Sequence, residues 1–156
     1  MRAAGEKTDV HMTEYVTVMI GDHLFGLPIG RVQDVFVPER LTRVPLAPPE
    51  VAGILNLRGR VVTAIDMRSR LDLGARADGV PLMAIGIELK GESYGLLVDS
   101  VGEVMQLPTG ACEAKPGNLD AKLARVAAGI YRLEGQLMIV LDVDRVLDWR
   151  NDALAA

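Results

Sequence analysis

Apolar residues in this chain fall into short runs of five to eight, separated by breaks that carry glycine, proline or asparagine. That spacing predicts short β-strands joined by turns rather than helices. Tyr15-Val-Thr-Val-Met-Ile20, Gly21-Asp-His23 and Leu24-Phe-Gly-Leu-Pro-Ile29 read as strand, turn and strand, and residues 32–37 follow as a third strand. Two further strands are expected at 52–57 and 60–65, joined by a tight hairpin at Arg58-Gly59. A second set of five is expected at 81–89, 93–98, 101–107, 126–133 and 136–141, with the matching hairpin at Glu134-Gly135. Glycine at these turns suits the positive φ that tight hairpins demand.

The two sets of strands are related. Residues 52–71 and 128–147, aligned at an offset of 76, are identical at seven of twenty positions. These are Ala52/Ala128, Gly53/Gly129, Ile54/Ile130, Leu57/Leu133, Gly59/Gly135, Asp66/Asp142 and Leu71/Leu147. Residues 25–35 and 94–104 align at an offset of 69, with Gly26/Gly95, Leu27/Leu96, Val32/Val101 and Val35/Val104 identical. Spaced identities of this kind mark a duplicated supersecondary unit. The difference between the offsets is a seven-residue insertion in the second copy, between Val104 and Ala128, where 107–118 has the composition of a loop. Residues 38–49 form the corresponding loop in the first copy.

Each copy ends in an Asp followed by an apolar and basic run, Asp66-Met-Arg-Ser-Arg-Leu71 and Asp142-Val-Asp-Arg-Val-Leu147. Both Asp residues are placed to cap a short helix, the second extending as far as Trp149. Residues 1–14 lack hydrophobic period and read as a mobile tail, so order is expected to begin at Tyr15. The fold expected is therefore mainly all-β: one domain over 15–150, with a first barrel at about 15–71, a second at about 80–142, a short C-terminal helix at about 142–150 and a tail at 151–156. Halves of this size are marginal alone, and a shared core follows.

Composition narrows the function. Hydrophobic residues make up 49% of the chain and charged residues 24%, enough for a packed core, while aromatics are only 4%. A net charge of −4 argues against a general nucleic-acid binder. The charge is uneven: residues 31–76 carry a local +3 and those from 81 onward a local −4. A single cysteine, Cys112, excludes an internal disulfide and a Cys-based metal framework. With no long apolar run and no signal-peptide core, the chain reads as soluble and cytoplasmic.

Catalytic chemistry is hard to assemble. His11 and His23 have no spacing that pairs them with each other or with Cys112. Ser100 in V-D-S-V-G lacks the first glycine of a nucleophile elbow, and Gly53 to Gly59 is not followed by the Lys-Ser or Lys-Thr of a phosphate loop. Asp66 and Asp142 could be imagined as a two-acid pair, but a residue kept in both copies most economically serves what both share, the local cap. No catalytic, metal or cofactor site is expected. Where the copies differ is more informative: Asn56-Leu57-Arg58-Gly59 stands opposite Arg132-Leu133-Glu134-Gly135, so Asn56 and Arg58 are candidates for a task of the first copy alone. An Arg at a hairpin tip can fork onto a carboxylate or stack on an aromatic face.

Asn56-Leu-Arg-Gly59, the V-V-x-x-I-D-x-R-x-R-L of 61–71 and Leu97-Val-Asp-Ser-Val-Gly-Glu-Val104 resemble the CheW family of chemotaxis coupling proteins, over about 15–149. The resemblance implies two pseudo-symmetric five-stranded SH3-like barrels about a shared hydrophobic core, and no catalytic activity. It implies a cytoplasmic adaptor at receptor arrays, joining the cytoplasmic tip of a methyl-accepting chemoreceptor to the regulatory domain of a CheA-type histidine kinase. Family positions for the kinase contact fall on Val32 and Asp34, the latter often Glu in the family. Gly53, Arg58 and Gly59 match sensitive positions without assignment to one partner. Val98, Val101 and Val104 are candidates for the wall of a receptor groove. No nucleic acid and no membrane insertion are implied. The alternative reading is a small-barrel module for a small ligand or single-stranded nucleic acid, for which Tyr15, Phe25, Phe36, Tyr94, Tyr131 and Trp149 are the aromatics at hand.

Overall fold

The computed structural model describes residues 11–74, 82–114 and 119–148. The first copy supplies β1 (Met12–Ile20), β2 (His23–Pro28), β3 (Asp34–Phe36), β4 (Val51–Leu57), β5 (Arg60–Asp66) and helix α1 (Met67–Leu71). The second supplies β6 (Met83–Leu89), β7 (Glu92–Val98), β8 (Ser100–Pro108), helix α2 (Ala121–Val126), β9 (Ala127–Leu133), β10 (Gln136–Leu141) and helix α3 (Val143–Val146). A single 3₁₀ turn follows β2 at Ile29–Arg31, and another follows β8 at Thr109–Ala111.

Strand β1 begins three residues before Tyr15, the start that the hydrophobic pattern suggests. Met12, Thr13 and Glu14 are held by backbone pairing to Pro108, Leu107 and Gln106 of β8, a ladder that needs no apolar side chain. The helix α2 also differs from expectation: residue 126, read as strand, is the last residue of a helix capped by Asp120, whose carboxylate accepts from Lys122 N–H at 2.8 Å. This helix lies in the interval to which the second copy's insertion was assigned. The expected extension of the last helix to Trp149 and the tail at 151–156 lie outside the described residues.

The strands form two five-stranded sheets, ordered β8-β1-β2-β10-β9 and β3-β6-β7-β5-β4. Under the repeat alignment these orders are the same order. Each sheet takes the opening hairpin of one copy and the last three strands of the other, joined on one side by a parallel pair, β2 with β10 and β5 with β7, and on the other by an antiparallel pair, β1 with β8 and β6 with β3. The expected division into a first barrel at 15–71 and a second at 80–142 is corrected by this exchange. The β3-to-β7 barrel is continuous in sequence, and its segment is inserted between the strands of the other, which come from both sides of it along the chain. The local charges of +3 and −4 along the sequence therefore do not map onto one barrel each.

Burial follows from the exchange. In β1, Val16, Val18 and Ile20 face a central core with Phe25, Leu27, Ile65, Met67, Ile85, Ile87 and Leu96, which fills the space between the sheets. The intervening Tyr15 faces the other way, into a smaller cluster with Tyr131, Met138 and Val140 inside the first sheet's barrel. Leu55, Val62, Ala64, Ala84 and Leu97 form its counterpart in the second. Strands buried on both faces explain why β1 reads as a continuous apolar run.

The repeat identities now have physical reasons. Ala52 and Ala128 are each the extra residue of a β-bulge, in β4 against β5 and in β9 against β10. Beside each bulge a loop crosses the strand: Thr42 bridges Ile54, and Glu113 bridges Ile130. A Cβ on Gly53 would run into the Thr42 carbonyl oxygen, and one on Gly129 would meet Cys112 Sγ at 2.5 Å. Asp66 caps α1 by accepting from Arg68 N–H and Ser69 N–H, and Asp142 caps α3 by accepting from Arg145 N–H.

Charged side chains clasp the barrels where the chain crosses between sheets. Asp99, between β7 and β8, takes Arg68 of α1 in a forked pair at 3.1 and 2.6 Å and also accepts Gly21 N–H at 2.9 Å. At the twin crossing Arg31 reaches Asp144 of α3 at 2.9 Å. Arg68 and Asp144 are repeat equivalents, so the two clasps use the same helix position with opposite polarity. The Asp99 pair is the more enclosed, and its hydrogen bond holds the Arg68 guanidinium above its ordinary pKa despite the opposing effect of burial.

Candidate functional site

The β4–β5 hairpin closes through two residues, with Leu57 opposite Arg60. Arg58 and Gly59 both have positive φ, 53° and 85°, which makes a turn whose twist matches that of the strands. Asn56 stabilises it by accepting Gly59 N–H at 2.9 Å through Oδ1. In the second copy only Gly135 of Glu134-Gly135 has positive φ. The first-copy turn thus differs in backbone as well as in charge, and Asn56 is the residue that supports the difference.

Arg58 leans from this turn onto β3, where its guanidinium lies 3.7 Å from Asp34 Oδ2. Arg58 is 78% exposed and Asp34 25%. Asp34 is set by Gly86, its cross-strand neighbour in β6, because a Cβ at residue 86 would collide with Asp34 Oδ1. Two candidates read from separate parts of the sequence thus meet at one end of the second sheet. An ion pair so exposed adds at most about 1 kcal/mol to stability, which leaves both charges available.

Exposed apolar side chains that sequence reasoning passed over follow along the chain. Val35 neighbours Asp34 on β3, Val37 comes just after that strand, and Leu41, Val44 and Leu46 follow in the loop that crosses β4; all five are exposed, Leu46 completely. Arg40 and Leu46 hold positive φ, 55° and 65°, without being glycine. The signal was present: three large apolar residues within a proline-bounded loop are unusual unless something covers them.

The remaining candidates separate. Gly53 is buried under the Leu41–Thr42 crossing and supports that loop from behind. Val32 and Val101, repeat equivalents, are half-buried against the central core. Val98 is 1% exposed within the core, so the expectation that it lines a partner groove is corrected: its strand β7 is central in its sheet and that face is filled. Val104 is 48% exposed on β8, an edge strand of the other sheet, as its equivalent Val35 is exposed on β3. Among the described residues no group of His, Cys, Asp and Glu is arranged to hold a metal ion, and no helix is long and apolar enough to cross a membrane.

The family model for the CheW-like domain matches residues 14–151. The chain belongs to the CheW-like family. Among curated CheW-family relatives, the chemotaxis protein CheW of Rhizobium meliloti is 28% identical over 133 residues, 85% of this chain and 86% of that one. That of Bacillus subtilis is 26% identical over 133 residues, with 85% of each chain covered. The crystal structure of the scaffolding protein TtCheW from Thermoanaerobacter tengcongensis superimposes with a TM-score of 0.75 at 28% identity, covering 84% of this chain and 89% of that one. The paired five-stranded sheets are thus the CheW arrangement.

Proposed function

We propose that this chain is a non-enzymatic chemotaxis adaptor that couples the cytoplasmic tip of a chemoreceptor to the regulatory domain of a CheA-type histidine kinase. The observation that carries the reading is the Asp34–Arg58 pair at the β3 edge of the second sheet, together with the exposed Val35, Val37, Leu41, Val44 and Leu46 of the segment that follows Asp34. Exposed apolar side chains in one segment with an accessible charged pair are the ingredients of a protein interface, since the apolar area supplies affinity and the charges select the partner. In this reading the kinase domain covers that edge. The receptor tip is taken elsewhere on the body, with Val101 and Val104 the accessible candidates on β8.

The mechanism is geometric. Two faces on one body hold receptor and kinase at fixed spacing, in the cytoplasm at receptor arrays, and repetition across an array raises the effective concentration of each partner for the other. Catalysis is not required of any residue: Asp66 and Asp142 are engaged as helix caps, and the two described histidines are exposed.

The alternative, a module for a small ligand or single-stranded nucleic acid, finds no fully exposed aromatic among the described residues. Tyr15, Phe25 and Tyr131 are buried, and Phe36 and Tyr94 are half-buried. The deciding experiment is reconstitution of receptor-controlled kinase autophosphorylation from purified components with and without this chain. Control of the kinase only when the chain is present is the expected result; identical activity in both mixtures would remove the proposal.

A further inference from the structure

The two sheets are twins in strand order but not in surface. In the first sheet, helix α2, which belongs to the insertion and has no first-copy counterpart, lies over β2, β9 and β10 and leaves an open groove of about 420 Å³ beside them. Its walls are Leu24, Leu119, Leu123, Leu137 and Ile139, with Asp22 and Asp120 at its margin beside His23 and Gln136. Two of the apolar lining positions are polar in the second sheet, Ser93 standing for Leu24 and Thr63 for Ile139, while Val61 stands for Leu137 and Ile54 for Ile130. What the second sheet lacks is the helix. The groove exists because one copy acquired α2, which brings Leu119 and Leu123 beside Leu24 and Ile139, and Leu137 on it is 44% exposed.

We propose that this groove is a third partner face, independent of the Asp34–Arg58 end, that takes a protein segment presenting a bulky apolar side chain flanked by Lys or Arg. Shape and apolar lining call for one or two large side chains, as in a pocket at the lower end of ligand-site volumes. Charge sets the flanks. No Lys or Arg is among the described residues lining the groove, whereas Asp22 and Asp120 both lie on it. Arg68, the cation whose field Asp22 feels, is already bound by Asp99. An acidic segment would meet like charge there, and a neutral one would leave the exposed Asp22 without a partner across the groove, Asp120 being engaged as the cap of α2.

The test uses the full chain, labelled with ¹⁵N, titrated with the basic peptide acetyl-KWLR-amide and with its acidic counterpart acetyl-EWLE-amide. Saturable amide shifts at Leu24, Leu123 and Leu137 with the basic peptide are expected, with the acidic peptide weaker by about fivefold or more. Leu137→Ser, at an exposed position, should weaken the basic peptide about tenfold while leaving the unfolding midpoint in place. Asp22→Lys, in an exposed turn, should narrow the difference between the peptides. Equal binding of the two, shifts confined to the Asp34–Arg58 end, or no saturable shift with the basic peptide would each overturn the proposal.

Discussion

Arg70 Nε donates to the backbone carbonyl of Val146 at 2.7 Å, and Val146 is the residue that occupies Arg70's own place in the second copy. The same guanidinium donates through Nη2 to the Arg145 carbonyl at 2.8 Å. Both carbonyls belong to the closing end of α3, where unpaired acceptors accumulate and a cation is favoured. The helices that end the two copies are thus joined by a buried side chain of one to the backbone of the other, near the axis that relates them. Duplication cannot place an arginine on both sides of such a contact, and the second copy has valine.

Replacing Arg70 by Ala should destabilise the protein by about 2–4 kcal/mol, because the buried bond to the Val146 carbonyl is lost and the side chain leaves a void. Lys should rescue only part of this, since a single ammonium cannot reproduce the fork. Urea denaturation of the three proteins gives the comparison directly.

The Asp34–Arg58 pair is expected to matter to binding and little to folding. Arg58→Glu should leave the thermal midpoint nearly unchanged, with a cost within about 0.5–1 kcal/mol, and should weaken kinase-domain binding or kinase activation. If the protein unfolds instead, Arg58 is structural; if it stays folded and binding persists, the interface lies elsewhere.

Gly53 and Gly59 should fail differently. At Gly53 a methyl group meets the Thr42 carbonyl, so Gly53→Ala displaces the crossing loop and should cost about 2 kcal/mol or more, with loss of partner binding as Leu41 moves. At Gly59 nothing lies within 4 Å of the added carbon, and the cost of Gly59→Val is conformational, from a β-branched residue at φ 85°. Calorimetry paired with a kinase-domain binding assay distinguishes lost stability from lost surface.

Burial, aided by a 3.2 Å hydrogen bond with Tyr15, pushes the Tyr131 hydroxyl above its ordinary pKa. The folded state then holds a proton that the unfolded chain releases near pH 10, so stability is intact below that value and falls as pH rises beyond it. Tyr131→Phe should flatten this alkaline slope while lowering stability at neutral pH by about 1 kcal/mol, the worth of the lost hydrogen bond. Urea midpoints between pH 8 and pH 11 for both proteins provide the check.

Much of the fold was legible because it is repetitive. Glycines at hairpins, aspartates before helices and apolar runs between them each act locally, and the ten strands followed from those local rules. What stayed hidden is non-local. The exchange of hairpins between copies leaves no trace in period or composition, since each strand is equally apolar whichever sheet receives it. For the site, Asp34 and Arg58 were named separately, yet their meeting depends on the small size of Gly86, a residue with no motif of its own. Val98 was misread because a central strand and an edge strand share the same alternation. Helix α2 was hidden by its shortness within a stretch whose flanks read as a loop.

The nested order of the sheets has a consequence for how the chain is made. All strands of the β3-to-β7 sheet have been synthesised once Val98 is added, whereas the sheet around it waits for Leu141. During synthesis the β1–β2 hairpin must persist with its neighbours absent while the inner sheet assembles beside it. A ribosome-bound chain is therefore at its most vulnerable to aggregation between those two points, and a chaperone that shields an apolar hairpin would act there.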